Sequence, residues 1–415
     1  MPSFAADPPV ELSIGPPAHG GHCIARHEGR VVFVRHAVPG EAVLGRITHR
    51  TRRYWHAETV QVLEPSPDRV PSVWPEAGPG GVGGGELAHV ALSAQRDWKR
   101  TVVLDTLRRI GHLDAVHPAL ENFAVQHVPV PGNPSHDADG TGYRTRVALM
   151  ADGEGNLGMH RYRSTEVVPL QQLPLAHPRL NEVDIFTRRW SPGARIQVVI
   201  PSVGDTVLLQ DGTPVGEGRT RVRETVRTTA GRFDYRVSAG GFWQAHAGAP
   251  AALIEAVIDA AELAPGQRVL ELYSGAGLMT SPLAHAVGPD GQVDAVEGDA
   301  RGARDARRNA HGLPQVRLHH EDVRTYLTGA THRPHVVVLD PPRVGAGTQV
   351  MHTISAMEPE RIVYVACDPA AMARDIAAAR GAGYELRSLR GFDLFPHTHH
   401  VECVAVLERA PSGVE

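Results

Sequence analysis

At 415 residues the chain is too long for one ordinary hydrophobic core, and its 42% apolar content can fill two or three. Three scattered cysteines, Cys23, Cys367 and Cys403, exclude a disulfide framework and fit a reducing compartment. The opening MPSFAADPPV lacks the charged start and apolar run of a signal peptide, and no apolar stretch approaches the ~20 residues that span a bilayer, so a cytoplasmic monomer without membrane contact is expected. The net charge of −4 hides a basic stretch: residues 21–56 hold seven arginines against two glutamates. A basic module on an acidic remainder points to an anionic partner, nucleic acid foremost. Lys99 is the single lysine among 42 basic residues, a bias that reads as coding composition.

From residue 10 to about 67, short apolar segments broken by Gly and Pro (VELSIG, HCIARH, RVVFVRHAVPGEAVLGRI, AETVQVLEP) predict a small β-barrel over residues 1–70. The residues Ala18-His19-Gly20-Gly21, Gly29-Arg30-Val31-Val32-Phe33-Val34 and Pro39-Gly40-Glu41, followed by Ser66-Pro67-Asp68, resemble the TRAM domain, an OB-like barrel attached to RNA-modifying enzymes. Such a barrel implies RNA binding by a positive groove and ring faces. Phe33 is assigned to core packing, and Tyr54 and Trp55, beside Arg52 and Arg53, to contact with RNA.

Residues 71–91, centred on GPGGVGGGELAHV, read as a flexible link. QRDWKRTVVLDTLRRIGHL then shows helical spacing ending at Gly111, and alternating segments follow from Tyr143 to Val237. Together residues 71–240 are expected to form a mixed α+β central domain.

Residues 241–415 are the most informative. RVLEL, VDAVEGD, RLHHEDV, HVVVLDPP and RIVYVAC recur as strands between helical patterns, the mark of an α/β doubly wound, mostly parallel, Rossmann-like sheet. The final VECVAVLE is expected to close it as an antiparallel edge pair. In ELYSGAG the glycines Gly275 and Gly277 make a tight turn after a strand, Glu297 ends the next strand, and Asp322 ends the third. As an ordered set these resemble the S-adenosylmethionine site of a Rossmann-type methyltransferase, with Glu297 on the ribose and Asp322 near the adenine. Asp340-Pro341-Pro342 follows the fourth strand, where such enzymes hold the acceptor base; Arg343 stands where amino-methylating enzymes carry an aromatic ring. Cys367 ends the fifth strand beside an N-cap, Asp368, and Pro369, where a helix dipole favours thiolate.

Cys367-Asp368-Pro369-Ala370-Ala371-Met372-Ala373-Arg374-Asp375, with LDPPRVG, FPHTHHVE and GFWQAH, resembles the RNA uracil-5-methyltransferase family over nearly the whole chain. The resemblance implies that Cys367 is the nucleophile and Glu402 the base, while Gln244, Tyr273, Glu297 and Asp340 line the pocket for S-adenosylmethionine and the adjoining base. It also implies RNA, rRNA or tRNA, as substrate. Ala366, Asp368 and Ala371 depart from the signature and trim hydrogen bonds near the nucleophile. Bacterial members carry an iron–sulfur motif; here Glu76, Val82, Gly85 and Leu173 stand at the cysteine positions, so no cluster is expected and no metal site is assigned. His397, His399 and His400 lack the partner spacing of a metal site and read as a loop flank; Cys403 and Cys23 read as structural. Two other classes stay open: an RNA-binding, chaperone-like protein with a relict pocket, and a methyltransferase acting on an exocyclic nitrogen.

Overall fold

The computed structural model describes residues 8–114, 116–216 and 218–410. Its N-terminal sheet has six strands, with Val10–Ser13, Ala42–Arg50, Tyr54–Glu64, Arg30–Arg35, His22–His27 and Pro17–Ala18 side by side. Strand alternation sends Leu12, Cys23, Ala25, Val32, Val34, Val43, Trp55 and Ala57 inward. Neighbours on a strand face opposite sides, so Tyr54 and Trp55 cannot share a surface. Trp55 lies opposite Val32 and is buried, roofed outside by the Arg30 and Arg50 guanidinium groups at 5.1 and 4.7 Å from its ring. Phe33 lies opposite His56 on the outer face with Tyr54. Trp55, expected at the surface, is therefore core, and Phe33, expected in the core, lies outside it.

Residues 71–91 are no flexible link. Trp74, Ala77, Val82 and Ala88 pack with Val130, Tyr143, Leu170 and Leu175 in one apolar cluster, and Leu173 lies against it. A side chain at Gly85 would meet Ala77 and Trp74 below 3 Å, and one at Gly81 would strike the Glu76 carbonyl at 2.0 Å. Gly81 and Gly85, predicted as loose chain, are instead points of close approach. Leu87 and Val90 complete the barrel core together with Trp98 and Val102.

Trp98 and Val102 belong to the helix Leu92–Arg109, whose Val103 and Leu107 enter the core of the C-terminal sheet. The helix thus buries two faces, one against each unit. A second six-stranded sheet, with Val167–Pro169, Leu157–His160, Arg146–Ala151, Arg195–Val199, Val207–Gln210 and Thr213–Pro214 in that order, has its own core around Leu149, Ile196 and Trp190. The hairpin Arg221–Thr228 and Gly231–Ser238 is a separate sheet that meets this one through the Arg146–Glu224 ion pair at 3.3 Å and docks on the C-terminal unit, where Asp305 accepts the Ser238 N–H at 2.7 Å. Residues 71–240 are consequently shared among several cores, those of the barrel and the C-terminal sheet included.

The C-terminal sheet has eight strands in the order Val316–His320, Gln292–Glu297, Arg268–Leu272, Val336–Leu339, Arg361–Ala366, Glu402–Arg409, Tyr384–Asp393 and Val125–His127. The first five are parallel, with helices in the crossovers, and the order reverses between Arg268–Leu272 and Val336–Leu339. Clefts for ligands open at the carboxyl ends of strands at such a switch point. Glu402–Arg409 is antiparallel to both neighbours and lies inside the sheet; the edge is Val125–His127, recruited from the central stretch. The antiparallel pairing is as expected and the edge position is not, because a three-residue strand carries too little pattern to be read in advance.

The single lysine is fully buried where these units meet. Lys99 Nζ donates to Asp393 Oδ1 at 2.5 Å and to the Phe395 carbonyl at 2.9 Å, and Asp393 Oδ2 has no partner among the described residues. Removing one partner strands a buried charge, whereas replacing both is often neutral. Lys99→Met should lower unfolding stability by about 3–5 kcal/mol, and Lys99→Met with Asp393→Leu should regain most of it, read by urea denaturation.

Candidate active site

At the carboxyl ends of the parallel strands lies a cavity of about 1020 Å³. Gln244, Tyr273, Gly275, Glu297, Asp340, Cys367 and Glu402 all line it. Two further residues assigned from the sequence lie outside its lining. Gly277 (φ +85°) makes the turn and packs on Ala306, and Asp322 caps the helix Val323–Gly329, accepting the Arg324 and Thr325 N–H groups at 3.0 and 3.2 Å.

One end of the cavity is shaped by the turn after Arg268–Leu272. Tyr273 holds φ +62°, a conformation that costs a non-glycine residue of order 1 kcal/mol and is found where surroundings impose it. Gly275 (φ +56°) has open space where a Cβ would stand. The Glu297 carboxylate accepts the Gly275 N–H at 2.7 Å and the Asp299 N–H at 2.6 Å, which fixes it at the end of its strand. Ser274 Oγ, in the same wall, is buried and has no partner among the described residues. A pocket with a fixed carboxylate, an uncovered glycine and an orphaned hydroxyl fits a nucleoside with a ribose diol. The GFWQAH segment closes over it: Arg301 donates to the Gly240 carbonyl at 2.6 Å, Phe242 is 75% exposed at the rim, and Gln244 reaches the lining.

Toward the other end stand the sulfur and two carboxylates. Cys367 follows Arg361–Ala366, and because Ala366 pairs with Cys403, the thiol lies beside Glu402 on the adjacent strand, with Cys403 in the apolar core. Burial pushes the Cys367 thiol up to about 12, helped by the charges of Glu402 and Asp340 and opposed by Arg343. The helix dipole does not prevail over that burial, and Asp368, which takes the Ala371 N–H at 2.8 Å, adds a smaller charge in the same sense. Glu402 is raised well above the usual carboxylate range by burial and by Asp340, and burial raises Asp340 likewise.

The loop after Asp340 is pinned to the nucleophile helix Pro369–Gly381. Asp375, fully buried, accepts from Ala346 N at 2.8 Å, Gly347 N at 3.2 Å and Tyr364 Oη at 2.8 Å, and Arg374 donates to the Val344 carbonyl at 2.7 Å. Ser274, Phe242 and His400 were not singled out for this site by sequence reasoning. Phe242 offered a signal, an aromatic residue inside a Gly-Gly turn; the other two acquire their positions only in three dimensions. The histidines near 400 are more than a loop flank: Glu86 accepts the His399 N–H at 3.1 Å and contacts the His399 ring, and His397 Nε2 meets the Asp139 carbonyl at 2.7 Å.

A doubly wound sheet with this cavity at its switch point, an acidic residue ending the second strand and Asp-Pro-Pro after the fourth defines a Rossmann-type methyltransferase. Residues 316–410 match the family model described as tRNA (Uracil-5-)-methyltransferase, and residues 10–60 match the TRAM domain. An uncharacterized RNA methyltransferase of Streptomyces avermitilis is 39% identical over 97% of this chain and 99% of its own. The 23S rRNA (uracil(1939)-C(5))-methyltransferase RlmD of Alkalilimnicola ehrlichii is 30% identical, with 97% of each chain covered. The crystal structure of the Pyrococcus abyssi tRNA (uracil-54, C5)-methyltransferase with S-adenosyl-L-homocysteine shares the fold, with a TM-score of 0.66 at 20% identity over 95% of this chain and 99% of that one. The chain belongs to the RNA uracil-5-methyltransferase family and is an S-adenosylmethionine-dependent RNA methyltransferase.

Two outcomes test the site. Asp375→Ala strands two buried donors and should cost about 2–4 kcal/mol of stability, measured by urea denaturation. Alkylation of Cys367 by iodoacetamide should rise only toward alkaline pH, where both carboxylates are charged; Glu402→Gln removes one of those charges, favours thiolate and should move the rise to lower pH, followed by mass spectrometry of the labelled peptide.

Proposed function

We propose that this chain methylates C5 of a uridine in rRNA or tRNA through a covalent bond between Cys367 Sγ and C6, with Glu402 removing the C5 proton. The observation that carries the reading is that Cys367, Glu402 and Asp340 line one cavity with Tyr273, Gly275 and Glu297. Glu297, Tyr273, Gly275 and Gln244 would hold S-adenosylmethionine, which supplies an electrophilic methyl group when bound. Gly277 and Asp322 support that end from behind, as turn and helix cap.

Uracil C5 is a weak nucleophile on its own. Addition of Sγ to C6 pushes electron density onto C5 and so activates it for methylation. The thiol must lose its proton first, and Asp340, which lines the same cavity, would take it and leave Glu402 free for the later step. After C5 is methylated, Glu402 takes the C5 proton, the C5–C6 double bond re-forms and the Sγ–C6 bond breaks. A carboxylate raised by burial is a stronger base than one in water, which suits that removal. Arg343, beside His400 at 3.3 Å, and Asp340 face the place where the uracil edge would sit. The target nucleotide has to leave its stack to enter. The choice of rRNA or tRNA over another nucleic acid rests on the full-length relatives and on the TRAM barrel.

RNA carrying 5-fluorouridine should trap a covalent adduct on the wild-type enzyme and none on Cys367→Ala, read as a band stable in denaturing gels. Glu402→Gln should slow methyl transfer turnover by about a hundredfold or more and accumulate adduct on ordinary RNA. Full activity of Cys367→Ala would overturn the covalent route and favour methylation of an exocyclic nitrogen.

A further inference from the structure

The hairpin Arg221–Thr228 and Gly231–Ser238 carries its charge in an arrangement that works against its own stability. Alternation turns Val222, Val226, Phe233, Tyr235 and Val237 inward, into the core shared with the C-terminal sheet, where Tyr235 Oη donates to the Leu278 carbonyl at 2.8 Å. The outer face therefore presents Arg221, Arg223, Arg227, Arg232 and Arg236, all exposed, against the single exposed acid Asp234. That carboxylate is already engaged, accepting from the Thr225 hydroxyl at 2.5 Å and from Arg232 at 3.0 Å.

Register sharpens the excess. Arg223 stands directly opposite Arg236, and Arg227 directly opposite Arg232. Like charges so placed repel and weaken a two-stranded ribbon. Arg221, Arg223 and Arg236 form no ion pair among the described residues. The helix Ala300–Asn309 extends the same face, because Asn309 accepts the Arg236 N–H at 2.8 Å and fixes the helix beside the strand. Arg304 and Arg307 are exposed on it, likewise without an ion pair among the described residues, while Arg308 is held by the buried Asp305 at 3.1 Å. Arg301 of this helix and Gly240, just past the hairpin, both line the active-site cavity. The arginines thus begin beside the cavity, and Arg221 to Arg227 alone span ~20 Å of strand.

The two aromatic rings of the hairpin are turned inward, and the helix has none. A face without rings does not stack unpaired bases. Guanidinium groups in a row instead match what a base-paired RNA helix shows outward, its phosphates. We propose that the outer face of this hairpin, with Arg304 and Arg307, holds the phosphate backbone of a base-paired RNA segment flanking the target nucleotide. The face has no strand in common with the barrel sheet. It deepens the uridine reading, on which it rests, by giving the target a helical flank, and bound phosphates would relieve the repulsion that register imposes.

In the test, the full chain is titrated with a fluorescent RNA stem-loop carrying a uridine in its loop, and with the loop sequence alone as a short single strand. Arg223→Gln/Arg236→Gln should weaken stem-loop binding about tenfold and make the dependence of log affinity on log salt shallower by about 2, with little change for the single strand. Because that variant removes a like-charge pair, its Tm should equal or exceed that of wild type, and its affinity for S-adenosylmethionine should be unchanged. Arg108→Gln/Arg109→Gln removes two exposed arginines that pair with Asp105 on another helix, and should bind the stem-loop as wild type does. An unchanged salt slope, an equal loss on the single strand or in that control, or a lowered Tm overturns the proposal. Its failure is separable from that of the C5 chemistry: stem-loop affinity reads the hairpin, and the 5-fluorouridine adduct formed on the short single strand reads Cys367.

Discussion

The arrangement of the active site depends on one buried carboxylate. Asp375 gathers two backbone N–H groups of the loop after Asp340 and the hydroxyl of Tyr364, which belongs to the strand that ends beside the nucleophile. The loop that would hold a base and the helix that begins after Cys367 are thereby parts of one rigid piece. A second fastening runs along the histidine loop. Gln95 donates to the carbonyls of Leu87 and Val90 and accepts the His397 N–H at 2.6 Å, and the Leu87 N–H reaches the His397 carbonyl at 2.9 Å. Across the cleft mouth, His19 of the barrel meets Asp368, next to the nucleophile, at 3.0 Å. The barrel is therefore joined to the catalytic end by hydrogen bonds between folded elements rather than by a tether.

The electrostatics follow from that rigidity. Two carboxylates and a thiol share a site with one arginine nearby, and burial acts on all three in the same sense, against charge. Charge that appears on one of them has to be offset close by, and Arg343 is the cation that lowers both Cys367 and Glu402. Asp368 illustrates how a departure from the family signature is absorbed: burial works against its charge, but hydrogen bonds from His19 and the Ala371 N–H hold its carboxyl low.

Much of the parallel sheet could be read in advance because its strands are buried on both faces, and runs such as VVVL and RIVYVA have no other economical fate. The strand-end residues Glu297, Asp340 and Cys367 were legible for the same reason: each directly follows such a run. What could not be read was anything decided by two distant segments. The role of Trp55 as core and Phe33 as surface depends on register, which shifts by one residue without changing composition. The strand Val125–His127 and the helix Leu92–Arg109 belong to a core whose other half begins well over a hundred residues later. Glycine abundance in residues 78–85 suggested looseness, because sequence shows the absence of a side chain but not what has moved into the space.

That glycine-rich segment has a wider meaning. Val82 lies inside the apolar cluster around Trp74 and Leu173 against it, at positions where the family resemblance implied cysteines, and the same tryptophan lines the active-site cavity. This cornerstone of hydrocarbon and indole is held by side-chain volume and the exclusion of water, so a change that opens space beneath Trp74 is felt in the wall of the active-site cavity.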